Sequence, residues 1–223
     1  MTTRLGIISD IHSSLTPLRQ ALEIFDKHNV SQIICAGDIA GYGEDELEQV
    51  VELLQSKNCL FVRGNHDELN DNNPAEDELS SELTEFLDQL PVAISLNIEN
   101  KNIFIVHAHP PDQQHGGIKL LDQHGELIDL ELSNWQTKLA DFNYDVLIVG
   151  HTHQVFSQQL NKTLVINPGS TLFNHSCMVL SLPEMTTDVF ALGDNEIVAS
   201  WNWGLFFQQA GKSKPYPKPK SEQ

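Results

Sequence analysis

Apolar and polar positions along the chain fall into blocks whose period changes. Residues 4–9 form a short, dense apolar run of the kind a buried strand carries, and the pattern then shifts to helical spacing, with Leu18, Leu22 and Phe25 on one face as far as about His28. Thr16 is the expected N-cap and Pro17 the first helical residue. A second apolar run, 32–36, ends in Gly37-Asp38. An acidic amphipathic helix over about 44–56 leads to a third run, 59–63, which stops at Gly64 and gives way to Asn65-His66-Asp67. The repeating unit is strand, polar residue at its carboxyl end, then helix, which predicts a parallel sheet with its ligand site beyond those ends.

Past Asp67 the pattern loosens into a polar loop, 70–74, and an acidic helix whose apolar positions include Leu79, Leu83, Phe86 and Leu87. It then becomes two-fold: 92–98 and 101–106 read as a hairpin turning at Glu99-Asn100, and its second strand delivers His107-Ala108-His109. Residues 112–133, with Gly116, Gly117 and Gly125, read as a flap over the site, and a helix containing Trp135 and Leu139 follows. The buried run 145–149 ends in Gly150-His151-Thr152-His153. Beyond Val155, turns at Asn161-Lys162, Pro183-Glu184 and Gly193-Asp194-Asn195 predict antiparallel strands, and Trp201 and Trp203 read as packing residues. Residues 1–210 are expected to form one domain, and the Lys- and Pro-rich segment 211–223 a disordered tail.

Charge narrows the partners. The sequence of 223 residues has 31 Asp and Glu against 13 Lys and Arg, a formal charge of −18, and no basic residue lies between Arg63 and Lys101. Such a field repels nucleic-acid backbones. The apolar runs are too short to span a bilayer and no leader pattern precedes the first strand, so a protein of the cytoplasm, without a membrane partner, is expected. Cys35, Cys59 and Cys177, scattered through apolar runs, read as buried reduced thiols.

Candidate chemistry collects at strand ends. Asp10, His12, Asp38, Asn65, His107, His151 and His153 all lie just past apolar runs, which would gather them at one sheet edge in numbers sufficient for two metal ions. Oxygen and imidazole donors without cysteine suit Mn²⁺, Fe²⁺, Co²⁺, Ni²⁺ or Zn²⁺ rather than Ca²⁺. One carboxylate must bridge cations about 3.5–4 Å apart, a task that suits Asp38 on its tight turn. His109 reads as support behind the ligands or a neighbour of substrate, and His28, His115, His124 and His175 as ordinary surface or loop histidines.

In this order, D-I-H at 10–12, G-D at 37–38, G-N-H-D at 64–67, V-H at 106–107 and G-H-T-H at 150–153 resemble the calcineurin-like metallophosphoesterases. The stretches G-D-I-A-G-Y-G at 37–43 and I-N-P-G-S at 166–170 resemble the small single-domain prokaryotic branch, and the likeness spans about residues 5–171. The resemblance implies an α/β (α+β) fold, a four-layer sandwich of two mixed β-sheets flanked by helices. It assigns one metal to Asp10, His12 and His153, a second to Asn65, His107 and His151, and the bridge to Asp38, with Mn²⁺ favoured. It implies hydrolysis of a small phosphomonoester or phosphodiester by a metal-bridging hydroxide, with His66 protonating the leaving alkoxide and Asp67 orienting His66. The chain departs from the family at Ser13-Ser14, in lacking an Arg soon after Ser170, and at Gly41-Tyr42, where the phosphoprotein phosphatases place Asp and Arg. These departures argue against a phosphoprotein substrate. The competing reading is a protein-binding scaffold that has kept the fold without the catalysis, like the related retromer subunit; the presence of His66 and of every expected ligand favours the enzyme. A purely structural metal site is disfavoured by the Asn65 ligand.

Overall fold

The computed structural model describes residues 2–42, 46–68 and 80–201. The start of the second expected helix, the 70–74 loop, Leu79, Trp203 and the expected tail lie outside the described residues.

The three apolar runs at the start form β1 (Thr3–Ile8), β2 (Gln32–Cys35) and the short β3 (Leu60–Phe61), with α1 (Leu15–Lys27) and α2 (Leu47–Ser56) between them. Both pairings, β1 with β2 and β2 with β3, are parallel. The helix α1 begins two residues earlier than the sequence suggests, with Ser14 as N-cap, so Pro17 occupies the third helical position. Proline is tolerated there because first-turn N–H groups have no intrahelical acceptor to lose. Leu18, Leu22 and Phe25 form its buried face as expected, joined by Leu15 and Ala21.

Next come α3 (Ser81–Asp88), β4 (Ala93–Ile98) and β5 (Lys101–Val106). Ser80 caps α3, its hydroxyl accepting from Leu83 N–H at 3.3 Å. Glu99 and Asn100 both have positive φ, the geometry that turns a two-residue hairpin with the right strand twist. After α4 (Asp129–Lys138) come β6 (Val146–Ile148), β7 (Val155–Leu160), β8 (Thr163–Pro168), β9 (Ser176–Leu182) and β10 (Thr186–Ala191). Antiparallel pairing holds for β7 with β8 and for β9 with β10, but β8 also lies parallel beside β6.

Two mixed five-stranded sheets result, ordered β10-β9-β1-β2-β3 and β4-β5-β6-β8-β7. Strand alternation sorts side chains among three cores. Leu5, Ile7 and Ile34 meet Ile103, Ile105, Val146 and Ile148 between the sheets. Ile8, Ile33 and Cys35 turn outward to α1, α2 and α3, while Phe104, Val106, Leu147 and Val149 turn outward to α4. The order of layers is helices, sheet, sheet, helix, the expected sandwich. Among the described residues no helix is long and apolar enough to cross a membrane. All three cysteines are buried and free, and burial pushes their thiols up, that of Cys177 to about 12.

Residues 112–133, expected as a flap, are anchored, and their last part begins α4. Ile118, Leu120 and Leu121 are buried in the outer core beside Trp135 and Leu139, which fixes this segment against the second sheet.

Candidate metal centre

Loops from both sheets converge at one edge. The loops after β1, β2 and β3 carry Asp10 and His12, Asp38, and Asn65; those after β5 and β6 carry His107, and His151 and His153. Asp10, His12, Asp38, His151 and His153 all have positive φ, between 49° and 65°. Non-glycine residues adopt such backbone at a cost, of order 1–3 kcal/mol in unfavourable cases, and it is retained where the surroundings over-determine it. The turns reverse the chain so sharply that Asp10 and His12 face the edge while Ile11 between them is fully buried.

Two glycines permit the loops to touch. A Cβ on Gly64 would overlap the carboxylate and main-chain nitrogen of Asp38, and one on Gly150 would overlap Ser9 Oγ and the Asp10 carboxylate. The G-N-H-D and G-H-T-H loops therefore each lie directly on a loop carrying a carboxylate.

All seven sequence-predicted ligands come together. Ligand atoms of Asp10, His12 and His153 lie within 4.8 Å of one another, as do those of Asp38, His107 and His151, and those of His12, Asp38 and His66. Asp38 belongs to two of these groups and so stands between the two ends of the cluster. Asn65 Oδ1 is 3.2 Å from His107 Nε2 and 2.8 Å from His151 Nδ1. His109 is not in the cluster; its ring lies against Trp135, and its Nδ1 is 2.9 Å from the Pro110 carbonyl. His115 and His124 are exposed, and His28 packs on Phe190.

The imidazoles are aimed by their far nitrogens. His107 Nδ1 donates to the Ala36 carbonyl at 2.7 Å and His12 Nδ1 to the Ala40 carbonyl at 3.2 Å, leaving each Nε2 directed at the cluster. His12 Nε2 then faces His153 Nε2 at 3.3 Å, and His153 Nε2 is 3.2 Å from Asp10 Oδ1, a buried oxygen that accepts no hydrogen bond. Facing nitrogens beside an orphaned carboxylate oxygen form a donor set suited to a divalent cation of the borderline class.

Electrostatics agrees. Burial would raise Asp10, but the imidazoles of His153, His107 and His12 outweigh it and hold the carboxyl well below its usual range. Asp38 is lowered in the same way, against its burial, by His107. Burial depresses His12 and His151 to about 4, whereas His107, despite its burial, is raised to about 10 by Asp38 and then Asp10. Two ionised carboxylates thus sit beside the neutral imidazoles of His12 and His151, and His107 Nε2 lies 3.3 Å from Asp38 Oδ2.

His66 is half-buried at the rim, with its ring 5.1 Å from that of His12 and 4.8 Å from that of Tyr42, and its main-chain N–H donates to Asp38 Oδ1 at 2.8 Å. Asp67, expected to orient His66, acts on the main chain: its oxygens accept from Ala40 N–H and Gly64 N–H, both at 2.8 Å. Burial, with Asp38 nearby, raises Asp67 to about 7. It braces the turn that carries Asp38 against the loop that carries Asn65 and His66.

Several residues of the site were not read from sequence as such. Ser170 Oγ donates to the Asp10 carbonyl at 2.6 Å, Asn167 Nδ2 to the Gly150 carbonyl at 2.9 Å, and Asn174 Nδ2 to the His153 carbonyl at 2.9 Å. The I-N-P-G-S stretch is therefore the clamp between the two ligand loops, and Asn174 extends it. In the sequence this stretch is legible as a family motif, but nothing there encodes which carbonyls it clamps. Trp201, expected in packing alone, stacks on Phe173 and also lines the cavity, of about 470 Å³, into which the cluster opens.

The model of the calcineurin-like phosphoesterase superfamily domain matches residues 3–182. The chain is 32% identical over 181 residues to an uncharacterized protein of Methanocaldococcus jannaschii (MJ0912), covering 74% of this chain and 68% of that one. It is 24% identical to the phosphodiesterase YfcE of Escherichia coli K12, covering 88% of this chain and 96% of YfcE. The fold is similar to that of a metallophosphoesterase from Sphaerobacter thermophilus, with a TM-score of 0.64 at 21% identity, over 87% of this chain and 89% of that one. The chain belongs to the calcineurin-like phosphoesterase superfamily.

Proposed function

We propose that the protein is a dinuclear metal-dependent phosphoesterase acting on a small phosphomonoester or phosphodiester. The observation that carries this reading is the facing pair of His12 Nε2 and His153 Nε2, 3.3 Å apart beside the orphaned Asp10 Oδ1. Asp10, His12 and His153 would hold one cation, Asn65, His107 and His151 the other, and Asp38 both. Two such ions, with Mn²⁺ favoured, supply when bound a water nucleophile active near neutral pH and neutralisation of phosphoryl charge.

The remaining work falls to the chain's own groups. Gly64 and Gly150 let the loops close until the donors face one another, and Ser170, Asn167 and Asp67 hold them there, so little reorganisation is needed when substrate arrives. His66, at the mouth of the cavity and outside both proposed ligand sets, donates a proton to the leaving alkoxide. The alternative of an inactive scaffold with this fold is disfavoured by the presence of His66 beside a full donor set. The free buried thiols support a reducing compartment such as the cytoplasm, and the acidic surface disfavours nucleic acid as a partner. The deciding assay follows hydrolysis of p-nitrophenyl phosphate and its bis ester with Mn²⁺ added, alongside bound-metal analysis. Metal-dependent turnover is expected; no bound metal and no turnover would overturn the proposal.

A further inference from the structure

The cavity is larger than a phosphoryl group requires. At about 470 Å³ it falls in the size range of small-molecule sites, so it can also take the non-reacting portion of a substrate. One wall is the segment that includes Lys119, Leu121 and Gln123, and the aromatic rings of Tyr42 and Trp201 also line the space.

That wall is built by the ligand loop itself. Thr152 Oγ1 donates to the Ile118 carbonyl at 3.1 Å. The buried Gln154 side chain accepts from Leu120 N–H at 2.8 Å and Leu121 N–H at 3.0 Å, and donates to the Leu121 carbonyl at 2.7 Å. Thr152 and Gln154 alternate with His151 and His153, so one short loop presents two candidate ligands to the edge and pins residues 118–121 with its other side chains. Ile118 and Leu120 are fully buried, and Lys119 between them is turned out along the cavity.

Among the described residues Lys119 is the one Lys or Arg lining this cavity, and none of them forms an ion pair with it. The neighbouring Asp122 also lines the cavity, and its Oδ1 is taken up by His124 N–H at 2.8 Å and Glu126 N–H at 2.9 Å. An exposed ammonium with three donors, carried on a main chain that is itself held in place, in a chain whose acidic residues outnumber its basic ones by more than two to one, is suited to an anion brought in from outside.

We propose that Lys119 is a specificity residue that binds a second anionic group, carried by the non-reacting portion of the substrate. The substrate class is then an organophosphate bearing a carboxylate or further phosphate in addition to the reacting ester. This rests on the phosphoesterase reading of the same site, and a pair of matched ligands separates the two. Glycerol 3-phosphate and 3-phosphoglycerate differ at one end of the molecule, where a neutral hydroxymethyl group replaces a carboxylate.

Their dissociation constants are measured by calorimetry on the Mn²⁺-loaded protein in a His66→Asn background, which slows turnover of alkyl esters, with and without Lys119→Met or Lys119→Arg. The expected result is about five- to tenfold tighter binding of 3-phosphoglycerate, lost in Lys119→Met, kept in Lys119→Arg, and diminished by added salt in the parent protein. Equal binding of the two ligands by the parent, or a preference that salt or Lys119→Met leaves untouched, overturns the proposal. Equal weakening of both ligands and of inorganic phosphate in Lys119→Met overturns it too, because the ammonium would then serve the reacting phosphoryl group. Turnover of p-nitrophenyl phosphate or its bis ester by the unaltered enzyme is scored separately. Its absence beside an intact preference would sink the reaction but not the anion site.

Discussion

The two sheets contribute unlike halves of the site. Loops after β1, β2 and β3 supply both carboxylates and the amide, Asp10, Asp38 and Asn65, with one imidazole, His12. Loops after β5 and β6 supply imidazoles alone, His107, His151 and His153. The first sheet thus sets the negative charge that would attract cations, and the second supplies the nitrogens that would shape their coordination. Neither proposed metal set comes from one half alone, since Asp10 and His12 meet His153 and Asn65 meets His107 and His151, so the full site exists only when the two sheets pack face to face.

The largest break in this division should come at Asp38, the carboxylate common to two of the three donor groups. Asp38→Asn keeps the shape but removes the shared charge. Loss of at least about 10³-fold in kcat/KM is expected, several kcal/mol of transition-state stabilisation, with a matching fall in bound metal. Steady-state kinetics beside elemental analysis checks it. The next effect belongs to His66, also from the first sheet. His66→Asn should cost on the order of 10²-fold or more with an alkyl leaving group and far less with p-nitrophenolate, which needs no proton. Equal losses on both substrates would remove His66 from the role of acid.

The sequence revealed the first-sheet half almost completely, because each ligand directly follows an apolar run and the strand-helix repeat predicts where such runs end. His107, His151 and His153 were legible for the same reason. Less legible was what holds the loops in place. Asp67 lies in the same motif as His66, yet its bonds run to Ala40 and Gly64, one of them 27 positions away in the chain. Gln154 and Asn167 bond main-chain groups whose positions no periodicity encodes, and residues 112–128, rich in Gly and polar residues, gave no period even though Ile118 and Leu120 are fully buried.

These braces define the smaller tests. Asp67→Asn turns an amide donor toward one of two main-chain donors and should cost about 1–3 kcal/mol of stability, read by urea denaturation, with about a tenfold loss of activity or metal affinity. Gln154→Leu, on the second-sheet side, should act mainly on KM, by a few-fold, because it frees the wall carrying Lys119 while leaving the ligands on their own loops. A fall in kcat as large as that of Asp38→Asn would show that wall and cluster are not separable.

The account turns on donors from both sheets forming a two-cation centre. Its most direct test is the number of Mn²⁺ ions retained per chain, measured by elemental analysis after gel filtration, in the unaltered protein and in His107→Ala. Two ions in the first and one in the second are expected, since His107 serves only one end of the cluster. One ion in both, or none in either, would contradict it.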